Sequence, residues 1–388
     1  MMRKGALLGL LLLSLVFSTR CGLVTDESAP TAGPTIIDGF TVLLTEPEVQ
    51  FPDSIDFRLE VQAKADISRI ALSYQVEKRS AIPITSIAFP RFEPSPEVDT
   101  SWKWDMRKTG ALPPGTQVRY WWSITDAEGN QVETKTDILS FDDHHHSWKS
   151  LEGDRINLLW YDGSNAFGQE LLGAAEAALD RLSSDTGVQL DAKAAVYIYA
   201  SAGDLRAAMV YPPEWTGGRA FPEYGTIAIG IAPGNEEWGK RAIAHELAHL
   251  VFHQAIFSGY SAQMPTWLDE GLATYAEGPL SSSMKDILAT AVQRQSLFSL
   301  RSLCSSFPAQ TELALLAYAQ SYSVVEFLLQ PGQGGKEKML ELLDAFKQGN
   351  GYVEALDQVY GLSIDELDSL WRQYIRAPVS YVSFVCSG

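Results

Sequence analysis

The sequence predicts a multidomain α+β chain, with an N-terminal antiparallel β-sandwich followed by a domain that has a small sheet and a mostly helical C-terminal half. Three observations point to it. Residues 36–146 are short runs in which apolar and polar residues alternate between turn signals, the period of half-buried strands. From about residue 150 strand and helix patterns mix, and from Gly239 onward the apolar spacing is helical almost to the end. With 388 residues, 46% of them hydrophobic, the chain can bury more than one core.

At the N-terminus, Arg3 and Lys4 precede an apolar run from Ala6 to Phe17, which is short for a membrane span and the right length for a secretory signal. The run ends in Ser18-Thr19-Arg20-Cys21-Gly22, which resembles a bacterial lipobox, although Arg20 stands where a small residue is the rule. Three readings follow: a leader over residues 1–21 with lipid attachment to the membrane through Cys21, ordinary cleavage after Cys21, or an uncleaved anchor. All three place the remainder outside the cytoplasm, as a cell-surface lipoprotein or a secreted protein. Residues 22–35, rich in Pro, Ser, Thr and Gly, read as a tether. With Cys21 lipidated or removed, Cys304 and Cys386 remain as an even pair that a disulfide would join in an oxidising compartment.

In residues 36–146, Phe57, Leu59 and Val61 alternate with Arg58, Glu60 and Gln62, and Ile70, Leu72 and Tyr74 follow. Gln117 to Thr125 then leads through the turn signal Asp126-Ala127-Glu128-Gly129-Asn130 into Gln131 to Ile138. Pro113-Pro114-Gly115 before Tyr120-Trp121-Trp122 resembles the later strands of a fibronectin or immunoglobulin-like module. Trp102, Trp104, Tyr120 and Trp122 share strand faces at a spacing of two, which marks core packing in preference to a carbohydrate surface. His144, His145 and His146 cannot all face one ion, so with Asp142 and Asp143 they read as a solvated boundary.

Residues 150–380 open with a strand from Ile156 to Tyr161, a helix from Ala166 to Leu182 and a strand from Ala194 to Ala200. A short helix over Asp204 to Met209 precedes a strand from Gly225 to Ile231, and the clearest later helices cover Leu313 to Leu329, Lys336 to Lys347 and Ile364 to Ile375.

Charge narrows the partners. Asp and Glu total 48 against 30 Lys and Arg, a formal charge of -18, the wrong sign for neutralising phosphates, so nucleic acid is excluded as a partner. The chemistry concentrates in Ala242-Ile243-Ala244-His245-Glu246-Leu247-Ala248-His249-Leu250, an HExxH motif in a helix-forming run. Four helical positions turn about 400°, so His245 and His249 lie about 40° apart around the axis and about 6 Å apart along it. Both imidazoles can therefore bind one tetrahedral Zn2+, with Glu246 placed to act as general base on water. Phe252 and Ala255 occupy positions where metzincins carry glycine and histidine, which removes that class. Downstream, Pro265 to Gly278 reads as a second helix carrying Glu270, with twenty residues between it and His249.

HExxH followed at this distance by Trp267-Leu268-Asp269-Glu270-Gly271-Leu272-Ala273-Thr274-Tyr275 resembles the peptidase MA-like metallohydrolases of the gluzincin group, over roughly residues 155–380. The resemblance implies a zinc metallopeptidase in which Glu270 is the third metal ligand beside His245 and His249. It also implies an oxyanion donor, for which Tyr318 is the first candidate and Tyr322 the second, and a strand beside the cleft to which peptide substrate adds, for which Thr226 to Gly230 is the candidate. His253 reads as a neighbour of the site, and Asp269 and Glu277 read as solvated helix positions in preference to residues that orient the ligands. The expected function is hydrolysis of peptide bonds in a peptide or protein substrate. A catalytically inactive, zinc-containing surface-binding protein is the alternative.

Overall fold

The computed structural model describes residues 35–44, 46–79, 83–212, 217–258 and 263–376. The leader, nearly all of the tether, Cys21 and Cys386 lie outside the described residues. Cys304 is half-buried, and its thiol donates to the Leu300 carbonyl at 3.4 Å. No helix among the described residues is long and apolar enough to cross a membrane.

The N-terminal part is a nine-stranded antiparallel sheet: β1 (Thr35–Ile37), β2 (Phe40–Leu44), β3 (Glu48–Gln50), β4 (Ser54–Val76), β5 (Thr85–Ala88), β6 (Ser95–Asp105), β7 (Thr116–Asp126), β8 (Gln131–Glu133) and β9 (Asp137–Phe141), with one short helix, α1 (Met106–Thr109), before β7. The two apolar stretches read around residues 57 and 72 are one strand of 23 residues. Its first half pairs with β2, β3 and β6 and its second half with β5 and β7, with an irregularity between Gln62 and Ile67 where the register shifts. A break of this kind bends a strand and increases its twist, so one strand serves two neighbourhoods. Phe57, Leu59, Val61, Ile70 and Leu72 are buried, as the alternation predicts, while Arg58 and Gln62 are exposed. Trp104, Tyr120 and Trp122 are buried core residues, and Trp102 packs partly buried between Phe57 and Tyr74.

The second sheet runs β10 (Lys149–Glu152), β11 (Ile156–Trp160), β12 (Ala194–Tyr199), β14 (Thr226–Gly230) and β13 (Gly218–Phe221), with β11, β12 and β14 parallel and both flanking strands antiparallel. Helix α2 (Asn165–Thr186) connects β11 to β12, and α3 (Ala202–Ala207) follows β12. The remainder is helical: α4 (Glu236–Ala255), α5 (Thr266–Ala276), α6 (Ser282–Arg294), α7 (Thr311–Leu328), α8 (Gly335–Lys347), α9 (Tyr352–Tyr360) and α10 (Ile364–Arg376). The main core joins this sheet to α2, α4, α5, α7 and α8 through Ile227, Leu247, Trp267, Val325 and Leu342, each fully buried.

Two corrections concern position. Thr226–Gly230, the candidate for receiving substrate, is interior, because it pairs with β12 on one side and β13 on the other; the outermost strand is Gly218–Phe221. A strand hydrogen-bonded on both edges has no free backbone groups to offer a peptide. The boundary at residues 142–146 is also not a solvated spacer. His144 and His145 are exposed, but His146 stacks on Tyr161 with ring centroids 3.8 Å apart, and buried Asp143 accepts from the Tyr199 hydroxyl at 3.1 Å and from His145. The segment is sewn to the second sheet.

The first sheet also braces the β13–β14 hairpin. The Arg79 amide donates to the Glu223 carbonyl at 2.7 Å, its guanidinium donates to the carbonyls of Ala192 and Lys193, and Lys78 pairs with the Glu223 carboxylate.

Candidate metal centre

Helix α4 divides its residues by period. Ile243, Leu247, Leu250 and Val251 are buried in the main core, which leaves His245, Glu246, His249 and His253 on the wall of a cleft of about 490 Å³. Helix α5 supplies the facing wall. Its Trp267, Leu268, Leu272 and Ala273 are fully buried, and Gly271 sits against α7 so closely that a Cβ there would lie 2.6 Å from the Ser321 carbonyl oxygen. The apolar letters of the motif therefore fasten α5 to α7, and Asp269 and Glu270 are left facing α4.

The geometry at the meeting point is compact. His245 Nε2 and His249 Nε2 are 3.2 Å apart, and Glu270 Oε2 lies 3.4 Å from the first and 3.6 Å from the second. The opposite ring nitrogens are held by carboxylates: His245 Nδ1 is 3.0 Å from Glu277 Oε1, and His249 Nδ1 is 2.8 Å from Asp269 Oδ1. An ionised carboxylate only accepts, so in the neutral form of each ring Nδ1 carries the proton and Nε2 presents a lone pair. Two lone pairs and a carboxylate oxygen then converge on one point, and Glu270 Oε2 is buried with no hydrogen-bond donor. Such a cluster attracts a cation. His245, His249 and Glu270 can bind a metal ion.

The titration behaviour has the same origin. Burial opposes charge on His245, but the Glu270 and Glu277 carboxylates outweigh it and raise the imidazole to about 9; His249 is raised still more firmly against its burial by Asp269 and Glu270. Burial alone would lift Glu270, yet the two imidazoles hold it at about 2, and Asp269 is kept far below the usual carboxylate range by His249 and His253. For Glu246 burial prevails and pushes the carboxyl up, against the pull of the two histidines.

Asp269 and Glu277 are thus not solvated positions, which corrects the sequence expectation. Asp269 receives His249 on one oxygen and His253 Nε2 on the other at 3.1 Å, while Glu277 is held by Arg241 at 3.1 Å as it holds His245. A signal existed for Glu277, seven residues after Glu270 and so on the same helical face. None existed for Asp269, whose neighbour in sequence points about 100° away. Asp269→Asn is expected to weaken metal affinity by roughly 10- to 100-fold, measured by competition with a chelator, because the amide cannot accept from both rings with the same charge.

The remaining candidates separate. Tyr318 lines the cleft with its ring 6.3 Å from that of His245, and burial, with Glu270 and Glu246 nearby, raises its phenol so that it stays protonated. Tyr322, one helical turn on, packs against Tyr275 and Leu280 away from the cleft, which removes it as an oxyanion donor.

Strand β13 closes the third side. Gly230 N–H donates to the Gly217 carbonyl at 3.0 Å, and bonded and non-bonded pairs alternate from there, so Gly218 and Ala220 turn their backbone groups away from β14 toward the cleft. The Ala220 N–H meets Glu246, and a Cβ on Gly218 would fall 2.6 Å from Glu246 Oε1, so glycine is needed there.

A helix bearing two imidazoles, crossed by a second helix bearing a carboxylate and flanked by an open strand, defines a class of metal-binding α+β domains. The chain belongs to the peptidase MA superfamily, whose family profile matches residues 174–377, more than half of its length. No curated protein matches the sequence. Similar solved structures include catalytically inactive OgpA from Akkermansia muciniphila in complex with an O-glycopeptide substrate, at 12% identity and TM-score 0.19 over 31% of this chain and 32% of that one. Wild-type OgpA is similar at 14% identity and TM-score 0.19, over 30% and 32%. Legionella pneumophila aminopeptidase A in complex with aspartic acid is similar at 12% identity and TM-score 0.37, over 85% of this chain and 50% of that one. The chain spans about a third of the length of OgpA and half that of the aminopeptidase.

Proposed function

We propose that the chain is a zinc-dependent peptidase of the gluzincin type, with His245, His249 and Glu270 as ligands, Glu246 as general base and Tyr318 as oxyanion donor. The observation that carries this reading is the convergence of two Nε2 atoms and Glu270 Oε2 at 3.2, 3.4 and 3.6 Å. Ligands about 2.0–2.1 Å from a tetrahedral zinc stand about 3.3 Å from one another, and two imidazoles with a carboxylate suit that ion, so the residues fit it. Zinc held there supplies a Lewis acid for a peptide carbonyl and lowers the pKa of water.

The chain's own groups then divide the proton work. Glu246 takes a proton from the attacking water and delivers it to the leaving amine, a double task that its burial-raised carboxyl suits. The Tyr318 phenol donates to the carbonyl oxygen as that oxygen gains charge. The substrate lies extended along the Gly218 and Ala220 edge, where the outward backbone groups of Gly218 and the Ala220 carbonyl can pair with it. The N-terminal sheet is read as a fibronectin or immunoglobulin-like sandwich that carries this domain beyond the tether, outside the cytoplasm, with lipid on Cys21 as the form of attachment.

A peptide-library digest of the purified protein, read by mass spectrometry, tests the reading. Cleavage that a chelator abolishes and zinc restores is expected. Cleavage indifferent to chelation, or a purified protein without stoichiometric zinc, would overturn it.

A further inference from the structure

We infer that Arg219 selects substrates carrying an acidic side chain next to the scissile bond; this rests on the peptidase reading above. Arg219 is the middle residue of the outermost strand, between Gly218 and Ala220, whose backbone groups face the cleft. Side chains alternate along a strand, so the two faces of β13 differ. Gly218 and Ala220 face α4 and the metal cluster, where Gly218 meets Glu246 and Ala220 packs on the main core. Arg219 and Phe221 face the other way. Phe221 packs with Tyr197, Tyr199 and Leu205, and the Arg219 guanidinium stands over its ring at 5.1 Å.

That contact holds the exposed cation on the face of β13 turned away from the metal cluster, beside the outer edge of the strand, without using its hydrogen-bond donors. Among the described residues lining the cleft, Arg219 is the one Lys or Arg, while the acidic groups there are committed to the histidines or, for Glu246, to the β13 backbone. A peptide added to the β13 edge sends alternate side chains to the same two faces. One set meets the metal side, and the other runs beside Arg219. A carboxylate on that second set can take a forked pair of bonds from the guanidinium. A free C-terminal carboxylate has the same chemistry, so the source must be separated by experiment.

The test is a digest, by the zinc-loaded full chain, of one peptide set with free ends and a matched set that is N-acetylated and C-terminally amidated, comparing the unaltered protein with Arg219→Gln and Arg219→Glu. The unaltered protein is expected to favour Asp or Glu over neutral residues at one position by about 2- to 5-fold, as suits an exposed charge pair. Arg219→Gln should level that preference through KM, and Arg219→Glu should transfer it to Lys and Arg, a gain that misfolding does not produce. Cleavage without acidic enrichment, enrichment only when the peptides end in a free carboxylate, or a profile unchanged in Arg219→Glu would overturn this inference alone. Absence of all cleavage by the unaltered protein would overturn the peptidase reading, and this inference with it.

Discussion

Glu246→Gln is expected to leave the metal content unchanged and to lower the rate of peptide hydrolysis by on the order of 10²- to 10⁴-fold, the usual worth of a positioned acid–base group. The amide keeps the shape of the side chain and still accepts from the Ala220 N–H, so the packing of β13 on α4 is preserved. What it loses is the capacity to take a proton. Neither ligand nitrogen bonds to Glu246, since each imidazole is held from behind by Glu277 or Asp269. Metal analysis and kcat on one peptide decide the matter: retained hydrolysis would remove Glu246 from the mechanism, and metal lost together with activity would make it a structural residue.

Removal of the metal is expected to destabilise the C-terminal part, and to do so more at alkaline than at acidic pH. A ligand present at about 1,000 times its Kd contributes about 4 kcal/mol to the folded state, which corresponds to a fall in Tm on the order of 5–15 °C when it is withdrawn. The pH dependence follows from His245. In the metal-free protein its pKa is raised to about 9, from an ordinary value of 6.5, by carboxylates that outweigh its burial. A raised pKa contributes stability that is complete below the unfolded value and is lost as pH rises through the folded one. Below about pH 6.5 a proton therefore stands in for the metal between the lone pairs. Above about pH 9 nothing does. Scanning calorimetry with chelator and with excess zinc, at pH 6 and pH 9.5, should give the larger separation at pH 9.5; an equal or reversed separation would count against a cation site at these residues.

Much of this site was legible before any fold was known, for a local reason. The HExxH spacing places His245 and His249 on one face of a helix whatever that helix packs against, and the structure puts both in one cluster with Glu270. The apolar letters around Glu270 similarly predict a helix that buries one side, and Trp267, Leu268 and Leu272 are fully buried. Alternation in the N-terminal part identified which residues of β4 turn inward, but not that the two stretches form one strand shared by two sets of partners. Pairing depends on which distant segments meet, and periodicity contains no term for that.

The errors have the same cause. Thr226–Gly230 has the apolar content of a strand beside a cleft, yet Gly218–Phe221 lies outside it, and an edge is a property of the sheet. Asp269 reads as a solvated carboxylate from its own helix, and only the crossing of α4 over α5 brings His249 and His253 to its two oxygens. By itself, then, the sequence determined the identity and helical spacing of the residues that can bind a metal, because helix geometry repeats every few residues. The tertiary structure alone decided which carboxylates hold the imidazoles from behind, which strand is open to a peptide and that Arg219 stands beside it, because these are contacts between segments tens of residues apart, set by packing.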